Sequence, residues 1–540
     1  MKYVFKRNGS IGAMDAESDA KFLADCFFDT GDVDVLLDCE DPKRIVVGRV
    51  GAGKSALLEQ LKTRSSNVID VRAEELSLNY VANSDVIQFF EAAGVKLDLF
   101  YQLLWKHVFV VELLKKRYRI TEKEPRSHWD FLKDVFSRDP AKERAVKYLE
   151  QWGDRFWQDT EIRIKEFTTR LEEKLSAAVD AKIFGASLNA QAARALSEEV
   201  KAEIVHKAQS IVNSNQVREL TEVVSLLAEV IFIDPMNRHH IVIDRLDESW
   251  VDERIRYKLI RALIETVRAF QRIRAVKIVI SMREDLLRRV FDATRDAGFQ
   301  EEKYETLFLR VRWKKHQLMQ LLEMRLNRLV REQYTTKSIA FNDVFRGDVR
   351  KESAIDYVVD RSLLRPRDVI SFVNCCIELC EGKEYITPSA VQDAEKKYSE
   401  GRLRSLFDEW RTEFPNLSCC VQLLRGRASS FKYSELSDED VQRFMSESFN
   451  EMVEDDFAKR AISEYLINNR TLSNCLIQIV KIIYTASVVG IKPQATDKTS
   501  WAHNDDRGIT EGQYKSSSTI YVHKMLWRAL DIQLPPRGAV

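Results

Sequence analysis

Gly48-Arg49-Val50-Gly51-Ala52-Gly53-Lys54-Ser55 fits the pattern G-x-x-x-x-G-K-[ST], whose residue types suit the phosphates of a nucleoside triphosphate. Glycines let backbone N–H groups converge on phosphate oxygens, and a helix that starts at the end of the loop adds its partial positive charge. In this pattern Lys54 reaches the β- and γ-phosphates and the Ser55 hydroxyl ligates Mg²⁺, with the phosphate-contacting run extending from Gly48 to Ala56. A second cluster is Asp244-Arg245-Leu246-Asp247-Glu248. Asp244 closes an apolar run and suits the metal shell, while Asp247 or Glu248 suits the alignment or deprotonation of a water. Three arginines are candidates for charge stabilisation. Arg283 either senses the γ-phosphate, serves a neighbouring subunit, or pairs locally with Glu284 or Asp285. Arg365 and Arg367 suit a lid that couples nucleotide state to domain position.

These residues need a scaffold. Ile45-Val46-Val47 reads as a buried strand before the loop, and Ala56 to Leu61 as the first turns of a helix, the context the loop requires. Val68 to Val71, His240 to Asp244, Val276 to Ile280 and Leu307 to Val311 are further strands, with Arg283 just past the Val276 to Ile280 run. Strands alternating with helices predict a parallel α/β sheet with phosphates at its carboxyl edge. Helical stretches are expected over Ala16 to Phe28 and from about Asn83 to Tyr118. From Thr121 to about Val230 the chain is long-helix material, with Ile164, Leu171, Leu175 and Val179 as one apolar stripe. Thr387-Pro388 marks a helix start in a small helical domain, and Arg365-Pro366 opens another helix. The expected order is a core over 1–120, a helical insertion over 121–230, the second part of the core over 231–335, a helical lid over 336–410 and a separate domain over 411–540. That last domain contains helices Lys459 to Asn468 and Leu472 to about Ser487, and a strand at Thr519 to Val522.

Composition narrows the classes. The 540 residues carry 84 basic and 84 acidic side chains, so no global field favours nucleic acid or membrane. The basic clusters Lys115 to Arg119 and Arg310 to Lys315 read as solvated faces. No uninterrupted apolar run reaches membrane-spanning length, and Leu476 to Ile491 is broken by Gln478, Lys481, Thr485 and Ser487. The first residues lack a signal-peptide core, so a cytoplasmic protein is expected. The eight cysteines include no C-x-x-C pair, and Cys375, Cys376 and Cys380 read as small core residues. His239-His240, before a strand, reads as structural.

At these residues the chain resembles a P-loop ATPase of the division that includes AAA+ and STAND proteins. Within that division it is similar to bacterial ATPases often encoded near antiphage defence genes. The matching phrases are Gly48 to Ser55, Ile241 to Glu248 with Trp250, Arg283-Glu284-Asp285, and Trp313 opening a helix. They continue with Arg365 to Asp368, Tyr398-Ser399 and Asp408-Glu409-Trp410, so that 15–120 and 216–412 are covered. The resemblance implies a five-stranded core with the Asp244 strand beside the Arg283 strand, a helical lid and a degenerate winged-helix domain. Many ATPases of the division place the catalytic carboxylate directly after the metal-binding Asp, where Arg245 stands here. The expected function is a Mg²⁺-dependent ATPase switch that oligomerises or controls a separate effector. The alternative is a DNA-acting ATPase that uses the C-terminal domain.

Overall fold

A computed structural model describes residues 3–75, 87, 90, 91, 93–120, 139–153, 156, 162, 166, 169, 198, 199, 201, 202, 214–248, 250–295, 300–334, 339–453, 456–468, 472–504, 509–514 and 517–534. The chain divides into a sheet unit, Asp29–Arg49 with Lys54–Val311, and a helical unit, Met1–Phe28, Val50–Gly53 and Arg312–Val540.

The sheet unit is built on five parallel strands in the order β2-β3-β4-β1-β5. They are β1 (Ile45–Gly48), β2 (Val68–Arg72), β3 (His239–Asp244), β4 (Val276–Arg283) and β5 (Phe308–Arg310). All four residues of β1 and the first seven of β4 are buried, as strands covered on both faces must be. The strand carrying Asp244 therefore lies beside the one carrying Arg283, as expected. β4 runs farther than its apolar residues suggest, so Arg283 is its last residue, in register with Gly48 at the end of β1. β3 likewise takes in His239 ahead of His240.

Helices Lys54–Arg64, Asp98–Tyr118, Glu253–Phe270 and Glu284–Thr294 pack within this unit. Asp98–Tyr118 buries Phe100, Leu104, Trp105 and Val108, and the Trp105 indole donates to the Leu259 carbonyl at 2.9 Å. Ser214–Leu226 packs with Pro140–Trp152 and Asp98–Tyr118. The stripe residues Ile164, Leu171, Leu175 and Val179, with most of the expected insertion before 214, lie outside the described residues.

In the helical unit, Lys315–Tyr334, Pro366–Leu379 and Pro388–Trp410 share one core with the C-terminal elements. Thr387 caps its helix as expected: its hydroxyl accepts from the Ala390 N–H at 3.3 Å and Pro388 occupies the first helical position. The C-terminal order is helix Leu417–Gln422, β6 (Ser430–Lys432), three helices ending with Leu472–Thr485, β7 (Val489–Lys492) and β8 (Thr519–Val522). These strands form an antiparallel sheet in the order β6-β8-β7. A strand between helices that pairs with the second strand of a terminal hairpin is the winged-helix arrangement.

Candidate functional site

The parallel strands point the ends of β1, β3 and β4 toward one edge of the sheet, and the sequence-derived candidates of the sheet unit collect there. The loop after β1 holds Gly51 at φ +77° and Gly53 at φ +97°, the left-handed backbone that only glycine adopts at little cost. Such alternation turns successive N–H groups inward as an anion nest. Helix Lys54–Arg64 starts directly behind it. The Lys54 ammonium donates to the carbonyls of Gly48 at 3.0 Å and Arg49 at 3.1 Å, which folds its side chain back over the loop. Burial pulls its pKa below the usual lysine range, and the charges of Asp244 and Asp247 oppose that shift.

Ser55 Oγ donates to Asp244 Oδ2 at 3.0 Å, although the two are 189 residues apart and β4 stands between their strands. A hydroxyl and a carboxylate at this spacing are hard oxygen donors of the kind Mg²⁺ takes, and with the glycine nest they fit a magnesium–nucleotide group. Arg245 follows at φ +59°, a strained conformation for arginine, and its N–H donates to Asp244 Oδ1 at 2.9 Å. The kink sends the next residues across the edge of the sheet. Arg256, buried in helix Glu253–Phe270, clamps the loop by donating to the Glu248 carbonyl at 2.8 Å. The buried Trp250 indole donates to the Leu246 carbonyl at 3.3 Å.

The two candidate carboxylates differ in their surroundings. Asp247 lies 3.4 Å from Arg283 Nη1. Glu248 stands 3.7 Å from Arg245 Nε, and its pKa is raised by a hydrogen bond shared with Glu74, by burial, and by the charge of Glu74. Arg283 is oriented by Asp285, through Nε at 2.9 Å and Nη2 at 3.0 Å, and Asp285 also holds Arg289 at 3.0 Å. The local pairing of Arg283 and its reach toward the candidate carboxylate thus coexist. Glu74, Asp285 and Arg256 were not among the sequence candidates. Only Asp285 carried a signal there, as a neighbour of Arg283.

In the helical unit Arg365 and Arg367 meet the tip of the loop, Val50–Gly53. Arg365, 2% exposed, donates to the Val50 carbonyl at 2.9 Å, to Glu409 at 2.8 Å and to Asp368 at 3.1 Å. Arg402 closes the set on Asp368 at 3.1 Å. Burial disfavours every charge in this group, but the pairing outweighs it, holding Asp368 below the carboxylate range and Arg365 above the arginine range. Arg367 Nε donates to the Met14 carbonyl at 3.0 Å, and its Cβ lies 2.8 Å from where a Cβ on Gly51 would stand. The Trp313 indole donates to the Ala52 carbonyl at 2.8 Å. Among the described residues no group of three or more His, Cys, Asp or Glu is placed to hold a metal. No helix among them is long and apolar enough to cross a membrane.

Comparison with known proteins adds three findings. The model of the FunZ-associated C-terminal helical domain matches residues 316–407. A putative transposon gamma-delta 80.3 kDa protein of Escherichia coli strain K12 is 21% identical over 535 residues, covering 98% of this chain and 68% of that one. Among solved structures, a Walker-type ATPase of Pyrococcus abyssi aligns at TM-score 0.37 and 12% identity, over 88% of this chain and 93% of that one. The ORC2 protein of Aeropyrum pernix aligns at TM-score 0.36 and 10% identity, over 92% and 90%. Both structural likenesses are distant, and the reading of the site rests on its own geometry.

Proposed function

We propose that the chain is a Mg²⁺-dependent ATPase switch that assembles with itself, controls a partner effector, or does both, in bacterial antiviral defence. The observation that carries the ATPase reading is Ser55 Oγ at 3.0 Å from Asp244 Oδ2, at the head of a helix and behind two left-handed glycines. Bound Mg-ATP supplies the hydrolysable phosphoanhydride. Gly48 to Ala56 cradle the phosphates, Lys54 neutralises the outer ones, and Ser55 with Asp244 holds the metal. Asp247 or Glu248 orients the attacking water, and Arg283 stabilises charge that develops on the transferred phosphate. The switch reading is supported by Trp313, Arg365 and Arg367, which bond the loop tip, Arg367 through its backbone N–H to the Gly51 carbonyl, and stand on or before helices of the helical unit. The setting in defence is supported by the resemblance of the motif phrases.

A DNA-acting ATPase is the second reading, favoured by the β6-β8-β7 sheet order. Helix Leu472–Thr485 weighs against it as a groove reader, because Leu476, Ile479, Val480 and Ile483 are buried in the core. Calorimetry with Mg-ATP tests the primary reading. Lys54→Ala should abolish tight binding, and Asp244→Ala should remove its Mg²⁺ dependence. Wild-type affinity in both variants would refute the nucleotide site.

A further inference from the structure

The helical unit contains a cavity of about 1160 Å³ between the helices after Lys315 and the winged-helix sheet. That is ample for a small-molecule ligand, for which pockets of roughly 300–1,000 Å³ are usual. Every residue lining it belongs to the helical unit, whereas Lys54, Ser55 and Asp244 belong to the sheet unit.

Its chemistry is uneven. Over part of the lining the charges cancel. Lys524 sits 3.1 Å from Glu352 and 3.3 Å from Asp360, Lys315 sits 2.6 Å from Asp360, and Arg361 is spent on Glu395 at 2.6 Å. Arg350 and Lys351 differ: both are exposed, and neither makes an ion pair among the described residues. They are the two central residues of a hairpin closed by Val349 N–H to Glu352 O at 2.9 Å and the reciprocal bond at 3.0 Å. Their φ values of 52° and 70° are those of a type I′ turn, a position that favours Asn-Gly. Two large cations are held there in strained backbone. Leu364, which lines the same cavity, is also left-handed at φ 50°. Strain gathered at a cavity is the pattern of a binding site.

Aromatic faces also line it, and the Arg361 guanidinium lies 5.7 Å from the centre of the Trp527 ring. Trp501, His503, Tyr521 and Trp527 are each half-buried, and His523 is buried beneath them. Trp501 meets His523 edge-on at 5.0 Å between centroids. It lies so close to β7 that a Cβ on Gly490 would come within 2.5 Å of its ring. The Trp527 indole is fixed by the Val522 carbonyl at 2.9 Å. Trp501 and Trp527 are thus held in place with part of each ring still open.

We propose that this cavity binds a nucleoside phosphate, with the base stacked on the Trp501–Trp527 side and the phosphate paired with Arg350 and Lys351. Fixed aromatics with surplus cations are the two elements by which a base and its phosphate are recognised without sequence preference. The occupant is a free mononucleotide or a nucleotide of a single strand. The site is independent of the phosphate loop, so it goes beyond the ATPase reading.

The test uses the full chain carrying Lys54→Ala, so that the phosphate loop does not report. The probes are thymidine 5′-monophosphate, by calorimetry, and a fluorescein-labelled dT hexamer, by anisotropy. Binding of either supports the proposal, and the hexamer alone identifies a strand as the source. Replacing Arg350→Asn together with Lys351→Gly should weaken binding by about tenfold or more and flatten its salt dependence. The same change should raise the melting temperature, because it supplies the turn with its favoured residues. A hairpin with only a structural role would gain that stability and lose no affinity. Trp501→Ala should weaken binding by a similar factor without changing the salt slope. The proposal is overturned if neither probe binds at millimolar concentration, if the variants bind as the parent does, or if inorganic phosphate competes as well as the mononucleotide.

Discussion

Asp247 and Glu248 occupy neighbouring positions and unlike environments, and that contrast separates their roles. Asp247 is paired with Arg283, which Asp285 fixes in turn, so it is tied to the end of β4. Glu248 shares a hydrogen bond with Glu74 and is raised in pKa, and a raised pKa makes a carboxylate a stronger base. Glu248→Gln should therefore slow ATP turnover by about a hundredfold or more while leaving Mg-ATP affinity within about twofold. Asp247→Asn should release Arg283 and have a smaller effect. Single-turnover phosphate release beside equilibrium binding checks both, and equal turnover in wild type and Glu248→Gln would transfer the role to Asp247. The phosphate loop and Asp244 were legible in the sequence because a local pattern of glycines, or an apolar run ending in a carboxylate, encodes each. Glu74 and Arg256 were not, because only the pairing of β2 with β3 and the docking of helix Glu253–Phe270 bring them to the loop.

The elements that carry these residues are ordinary in their sequence signals, and their departures have local causes. β4 outruns its aliphatic stretch because Ser281 and Met282 are still paired with β1, through Val46 and Val47. The core accepts a buried serine where backbone pairing continues. β3 begins one residue early for a similar reason, since His239 pairs with Val276 as His240 does with Lys277. His240 is 1% exposed, its ring contacting Ser65 Oγ at 2.8 Å and the Leu37 carbonyl at 3.2 Å. Burial lowers its pKa to about 4, and Lys277, Arg238 and His239 push the same way against the Leu37 hydrogen bond. The unfolded chain, with an ordinary histidine near pH 6.5, takes up its proton first on acidification. Between pH 6.5 and 4 the unfolded state thus binds more protons, and stability falls as pH falls, by up to about 3 kcal/mol from this group. His240→Gln should flatten the melting-temperature profile across that window, measured by scanning calorimetry in steps of pH. An unchanged slope would assign the acid sensitivity to other groups. The expected insertion tests element reading least, since its apolar stripe falls outside the described residues.

For the whole molecule, the chain passes from the sheet unit into the helical unit at Val50 and returns at Lys54, inside the loop that the motif assigns to phosphate. A switch needs a ligand with different affinities for two states. Here the loop tip is bonded by Arg365, whose charge is balanced by buried Asp368 and Glu409, and losing one partner of such a set costs about 3–5 kcal/mol. In the proposed switch, such a cluster would resist gradual deformation and favour a discrete response to a change at the loop. The balance of 84 basic and 84 acidic residues leaves no net self-repulsion to oppose association of copies. The expected outcome is assembly that depends on the bound nucleotide. Light scattering at micromolar chain should show a larger mass with a non-hydrolysable ATP analogue and Mg²⁺ than without, and Lys54→Ala should remain at the smaller mass in both. Arg283 is already engaged by its own chain through Asp285 and Asp247, which favours action within the same subunit. Mixing Lys54→Ala with Arg283→Ala subunits should then restore no ATPase activity, because the subunit with an intact loop would still lack its own arginine. Recovery of turnover in the mixture would show that the arginine is delivered across a subunit boundary, and a single mass in all nucleotide states would remove assembly from the switch.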